Sequence, residues 1–121
     1  MGKKVSDSVL DGACDKVAEC VEQYICTADP ADRAAAISTS LISANTLASG
    51  DFSKANGDAS GRKVTVAEQA NLSITASGTA THIALATAAE LRLVTTCTAQ
   101  ALTSGGTVTI PAFDDEYADP T

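Results

Sequence analysis

The chain is expected to adopt a mainly β fold, a small antiparallel β-sandwich or partly open barrel with one N-terminal α-helix. Three observations point there. From Arg62 onward apolar residues recur at every second position in five runs, glycine-bearing turn signals separate the runs, and an apolar period of three to four residues appears only near the N-terminus. At 121 residues the chain suits a single domain over 1–121, able to bury roughly two thirds of the surface that its unfolded form exposes.

The first element follows from "SDSVLDGACDKVAECV". Polar Ser6, Asp7 and Ser8 offer caps, and Val9, Leu10, Ala13, Cys14, Val17 and Val21 then recur every three or four positions. This spacing predicts an amphipathic helix over 6–22, with Asp7 and Asp11 near its positive end. Gly12 weakens it by about 1 kcal/mol relative to alanine, so the helix depends on packing. Next, "QYICTADP" is rich in β-favouring residues and ends at Asp29-Pro30, where helical geometry is disfavoured ahead of the proline. It reads as a short strand.

Between about 23 and 56 the pattern is mixed. Alanines 34 to 36 permit a helical turn, but the spacing of Ile37, Leu41, Leu47 and Phe52, broken by Ser-Gly-Asp and Asn-Gly-Asp, favours short strands joined by turns. From 57 to 121 the pattern is that of an antiparallel β body. "RKVTVAE" places Val64 and Val66 on one face, "NLSITAS" does so with Leu72, Ile74 and Ala76, "ATHIALAT" with Ile83 and Leu85, "AELRLVTT" with Leu91 and Leu93, and "GTVTIPAF" with Val108 and Ile110. Turns are marked by Asn56-Gly57, Ser60-Gly61, Ser77-Gly78 and Ser104-Gly105-Gly106. Connections this short join antiparallel strands, because a parallel pair needs a crossover of a dozen or more residues.

Charge bounds the partners. A net charge of −7 and a pI near 4.4 repel phosphate backbones and anionic lipid, and the eight Lys and Arg residues are scattered. Neither nucleic acid nor membrane is expected as a partner. "MGKKVSDSVLDGACDK" has no uninterrupted apolar stretch behind its lysines, so it reads as neither signal peptide nor anchor, and a soluble protein made in the cytoplasm is expected.

The residues that carry chemistry are few. Cys14, Cys20, Cys26 and Cys97 include no C-x-x-C pair, so they read as compact buried apolar residues, with Cys26 and Cys97 as neighbours on adjoining strands. His82 is the only histidine. Alternation turns it away from Ile83, towards solvent or a neighbouring subunit, and no elbow, zinc-binding or phosphate-cradling motif accompanies it. In "FDDEYADPT" the carboxylates Asp114, Asp115, Glu116 and Asp119 do not follow the order of a calcium loop, and consecutive residues of a strand point to opposite sides. A solvated acidic strand is expected there, and no metal, cofactor or catalytic residue. Phe113 and Tyr117, two of only four aromatics, share one face and are interface candidates together with His82, either for their own domain or for a neighbour. The absence of tryptophan weakens any sugar-binding role.

The segments "SDSVLDGA", "GDASGRKVTVAEQANLSI", "ASGTATHIALATAAELRLVTTCTAQALTSGGTVTIPAF" and the terminal "ADPT" resemble small structural proteins of tailed bacteriophages and related prophage elements. The resemblance covers nearly the whole chain and is densest from Gly57 to Thr121. Within it, "GTATHIAL", a hairpin tip, "LVTT" and "GGTVTIPA" look like the hairpin units of head-decoration, fibre-like and minor tail proteins. It carries no catalytic residues across. What it implies is a non-enzymatic virion protein, foremost a decoration or cement protein on the outer surface of the head, assembled in the host cytoplasm. Its partners would then be the major capsid protein and copies of itself, as a trimer. A tail or fibre-associated adhesion module that binds a host receptor is the alternative. A small hydrolase is a third reading, and it requires His82 to meet a carboxylate or a thiol in a pocket.

Overall fold

The computed structural model describes residues 6–118, with 49% strand and 19% helix. Helix α1, Asp7–Ala18, buries Leu10, Cys14 and Val17 on one stripe. Ser6 is its N-cap by position, but the Ser6 hydroxyl meets that of Ser8 and makes no capping bond. The helix ends four residues short of the expected Glu22. Backbone pairing takes over at Val21, whose N–H donates to the carbonyl of Ala86 at 3.0 Å and whose own carbonyl accepts from Leu47 at 2.9 Å. Tertiary pairing thus overrides the helical period at a β-branched residue. Strand β1 follows at Glu22–Cys26, where a strand was expected.

A second helix, α2 at Arg33–Thr39, replaces the strands expected around Ile37. The Asp32 carboxylate caps it by accepting from the Ala35 N–H at 2.8 Å. Arg33 is locked to Glu22 of β1 by two bonds of 2.9 Å. Small residues at 34 to 36 let the helix lie close on the sheet, with Ala36 fully buried. Beyond it come β2 (Asn45–Thr46), a 3-10 turn (Ser49–Asp51), β3 (Phe52–Asn56), β4 (Arg62–Val66), β5 (Gln69–Ser73), β6 (Gly78–Ala86), β7 (Leu91–Leu102), β8 (Thr107–Ile110) and β9 (Phe113–Tyr117). The β3–β4 hairpin holds both the Asn56-Gly57 and Ser60-Gly61 signals. Gly61 sits at φ +70°, and a Cβ there would lie 2.0 Å from the Tyr117 carbonyl oxygen.

The strands form a four-stranded sheet of order β2-β1-β6-β7, a three-stranded sheet β3-β4-β9 and a ribbon β5-β8, with every pairing antiparallel. The sheets do not close into a barrel. One face of the four-stranded sheet packs Ile25, Ile83 and Leu102 against Ile74 and Ile110 at the ribbon. Farther along, Leu85 meets Val64 and Val66 of β4, with Cys14 and Val17 of α1 completing the cluster. Ion pairs hold α1 and its C-cap to both sheets: Asp15 to Lys54 and Asp11 to Arg62, each at 2.7 Å, and the capping Glu19 to Arg92 of β7 at 3.1 Å. On the opposite face Tyr24, Cys26, Ala84 and Ala86 lie under Ala36 of α2. β6 is therefore covered on both sides at Ala84 and Ala86.

Two irregularities shape β7. Leu85 pairs with Leu93 but Ala86 pairs with Leu91, so Arg92 is an extra residue. Such a bulge turns Leu91 to the other face: it packs beside Tyr24 and Ala84, whereas Leu93 joins the α1 cluster, contrary to their expected shared face. Farther on, Ala80 pairs with Gln100 and His82 with Thr96, so β7 carries two extra residues within 97–99. The interior also holds one fully buried amide. Gln23 accepts from Asn45 at 3.0 Å, Asn45 donates as well to Gln69 at 3.1 Å, and Gln23 Nε2 has no hydrogen-bond partner among the described residues.

Candidate functional site

The site begins at the turn between β7 and β8. Thr103, Ser104, Gly105 and Gly106 could close a hairpin, but the turn is tied to the stretch after β5 instead. Ser104 N–H donates to the Ser77 hydroxyl at 2.9 Å, Gly105 N–H to the Ile74 carbonyl at 3.0 Å, and Ile74 N–H to the Gly106 carbonyl at 2.9 Å. Gly105 permits this course by adopting φ +93°. β8 consequently pairs with β5 and leaves β7 alone.

A groove of about 410 Å³ opens between the two strands. Ile25, Ile83 and Leu102 lie beneath it, Cys97 and Thr98 of β7 stand on one side, and Ile110 and Phe113 on the other. Each of β7, β8 and β9 is the end strand of its sheet, and all three border the groove at or beside a free edge. Among the described residues, none that lines it is charged. The chemistry on offer is an apolar floor, threonine hydroxyls and unpaired main chain, which suits adhesion to an extended chain.

The predicted interface residues fall in different places. Phe113 lines this groove while packing on both the Ile25 and the α1 clusters. Tyr117, opposite Arg62 in the register, is half-buried against the α1 cluster. Burial, and then the Asp115 carboxylate beside it, push its hydroxyl pKa well above the usual tyrosine value. His82 lies away from the groove, paired across the strands with Cys26 and Thr96, and its Nδ1 is 2.8 Å from the Thr81 hydroxyl. The Cys26 thiol is fully buried and donates to the Ala36 carbonyl at 3.6 Å. Burial raises its pKa, and its hydrogen bond goes to the Ala36 carbonyl while the imidazole bonds Thr81.

All four cysteines are free thiols, three of them buried and Cys97 half-buried. The expected contact of Cys26 with Cys97 does not form. β6 runs between their strands, and Thr96 shares a cross-strand row with Cys26, so Cys97 is turned to the groove side. The acidic segment is β9, with its side chains alternating as strand geometry requires. Asp114 accepts from Thr65 at 2.7 Å and from Lys63 at 3.2 Å, and these two partners, the hydroxyl first, hold its carboxyl below the usual range. Glu116 accepts from the Asp58 N–H. Asp115 Oδ2 is buried and has no hydrogen-bond partner among the described residues. Asp119 lies outside the described residues. Among the described residues no three His, Cys, Asp or Glu side chains gather as a metal site.

The groove itself was not legible in advance. Its one local signal is the charge-free run "LVTTCTAQAL", Leu93 to Leu102, too long for a strand that ends at Thr96. Comparison with family models, with curated proteins and with solved structures finds no match for this chain.

Proposed function

We propose that the protein is a non-enzymatic structural component of a tailed-phage virion, a decoration or cement protein bound to the outside of the head. The observation that carries this reading is the neutral groove bordered by three end strands in a chain of charge −7. Such a surface is suited to lasting protein contact. The sequence resemblance supports the same reading, and so does the acidity, which favours an outer surface over one lined with DNA. In a symmetric shell each copy contributes a modest interface, and contacts repeated around a ring, as in the expected trimer, multiply the effective affinity. Its action would be mechanical: added buried area across the seams of the major capsid protein resists the pressure of packaged DNA.

Copy number tests this reading. Quantitative gel densitometry of purified particles is expected to find on the order of hundreds of copies per head. A handful of copies would move the protein to the tail, where the receptor-binding alternative belongs.

A further inference from the structure

β7 is unusual as an edge. From Leu93 to Leu102 it carries neither charge nor proline, two of the devices by which natural edges are blunted, and the bulge within 97–99 is the one such device it holds there. Residues 96 and 98–101 are exposed. Beyond its pairing with β6, no backbone hydrogen bond among the described residues reaches 95–101, and none beyond the β5 pairing reaches 107–110. Of the seven residues 95–101 two are the extra residues of the bulge, and the five left at strand spacing span about 17 Å, the length of an ordinary short strand.

We propose that the groove accepts one uncharged, extended segment of a partner protein, which adds as a strand to the free edge of β7 and sets alternate apolar side chains on Ile83, Leu102, Ile110 and Phe113. The unpaired main chain of the wall selects an extended peptide, because only a strand satisfies a row of N–H and C=O groups at strand spacing. The lining selects its character: with no charge available to pair, a charged insert would lose hydration without compensation. A second copy's β7 is a poor occupant, because it brings the same two-residue bulge and two such edges do not run flat together. This assignment deepens the virion reading and rests on it only for where the partner is found.

The test uses the intact chain and a ten-residue acetylated peptide of alternating valine and threonine with a lysine at each end. A version with proline at the valine positions serves as control. Cys97 on the groove wall is the reporter. Bound peptide is expected to slow its alkylation by N-ethylmaleimide about tenfold and to protect the amides of 95–100 and 108–110 from exchange, leaving the free β3 edge unchanged. Thr98→Lys together with Thr109→Lys, both at exposed positions, is expected to abolish the protection while leaving β4 exchange as in the parent. No protection, equal protection by the proline control, or protection that grows with protein concentration in the absence of peptide would each overturn the proposal, the last in favour of self-association. Particle copy number is independent of these readouts, so either reading can fail alone.

Discussion

Gln23 marks the point where the core departs from an apolar interior. It is fully buried, with one end of its amide on Asn45 and the other without a partner among the described residues. The amides of Gln23, Asn45 and Gln69 connect β1 and β2 of the large sheet to β5 of the ribbon. Each member therefore fixes the separation of two layers that hydrophobic packing alone leaves free to slide. Asn45→Ala would strip the remaining partner from Gln23 and one from Gln69, and a destabilisation of about 2 kcal/mol in denaturant unfolding is expected. A change below about 0.5 kcal/mol would show that solvent satisfies these amides equally well.

Among the elements, strands with a strict period of two were legible, because the larger apolar side chains share one buried face and the pattern records it: Val64 with Val66, and Ile83 with Leu85, even though Ala84 and Ala86 bury the other face of β6. The cysteines read as small apolar residues also hold that role, Cys14 and Cys20 in the α1 cluster. Departures arose where long-range pairing overrode local pattern. Val21 was drawn into the sheet, Arg92 shifted the phase of β7, and a capped run of alanines became α2 because a face of Ala84 and Ala86 accepts a close helix. The groove escaped notice for the same reason, since it depends on a turn bonded to residues 74 and 77. The Glu22–Arg33 pair fastens α2 and has a pH signature. Arg33, by its hydrogen bonds, holds the Glu22 carboxyl below its ordinary value of 4.5. A lowered folded-state pKa contributes stability that is complete above the unfolded value and is lost as pH falls through the folded one. The stability gap between the parent and Glu22→Gln is expected to be about 1 kcal/mol and level above about pH 5.5, then to close below the ordinary value. A gap that persists unchanged into acid would refute the pair's contribution.

At the scale of the molecule, the buried thiols report whether the layers come apart together. Cys14 and Cys20 lie in the α1 cluster, Cys26 lies under α2 on the other side of the large sheet, and Cys97 is half-buried at the groove. Native protein treated with excess maleimide is expected to label at Cys97 alone. The three buried sites would then react with one common rate set by global unfolding. Earlier reaction of Cys26 would mean that α2 opens as a separate unit. The paired extra residues of β7 decide how the strand tolerates a change of length. Because side chains alternate, removing two residues from 97–99 would straighten the strand and keep Gln100 to Leu102 facing as they do, whereas removing one would invert them and expel Leu102 from the core. A two-residue deletion there is thus expected to keep the parent's thermal stability nearly intact, and a one-residue deletion to lower it sharply.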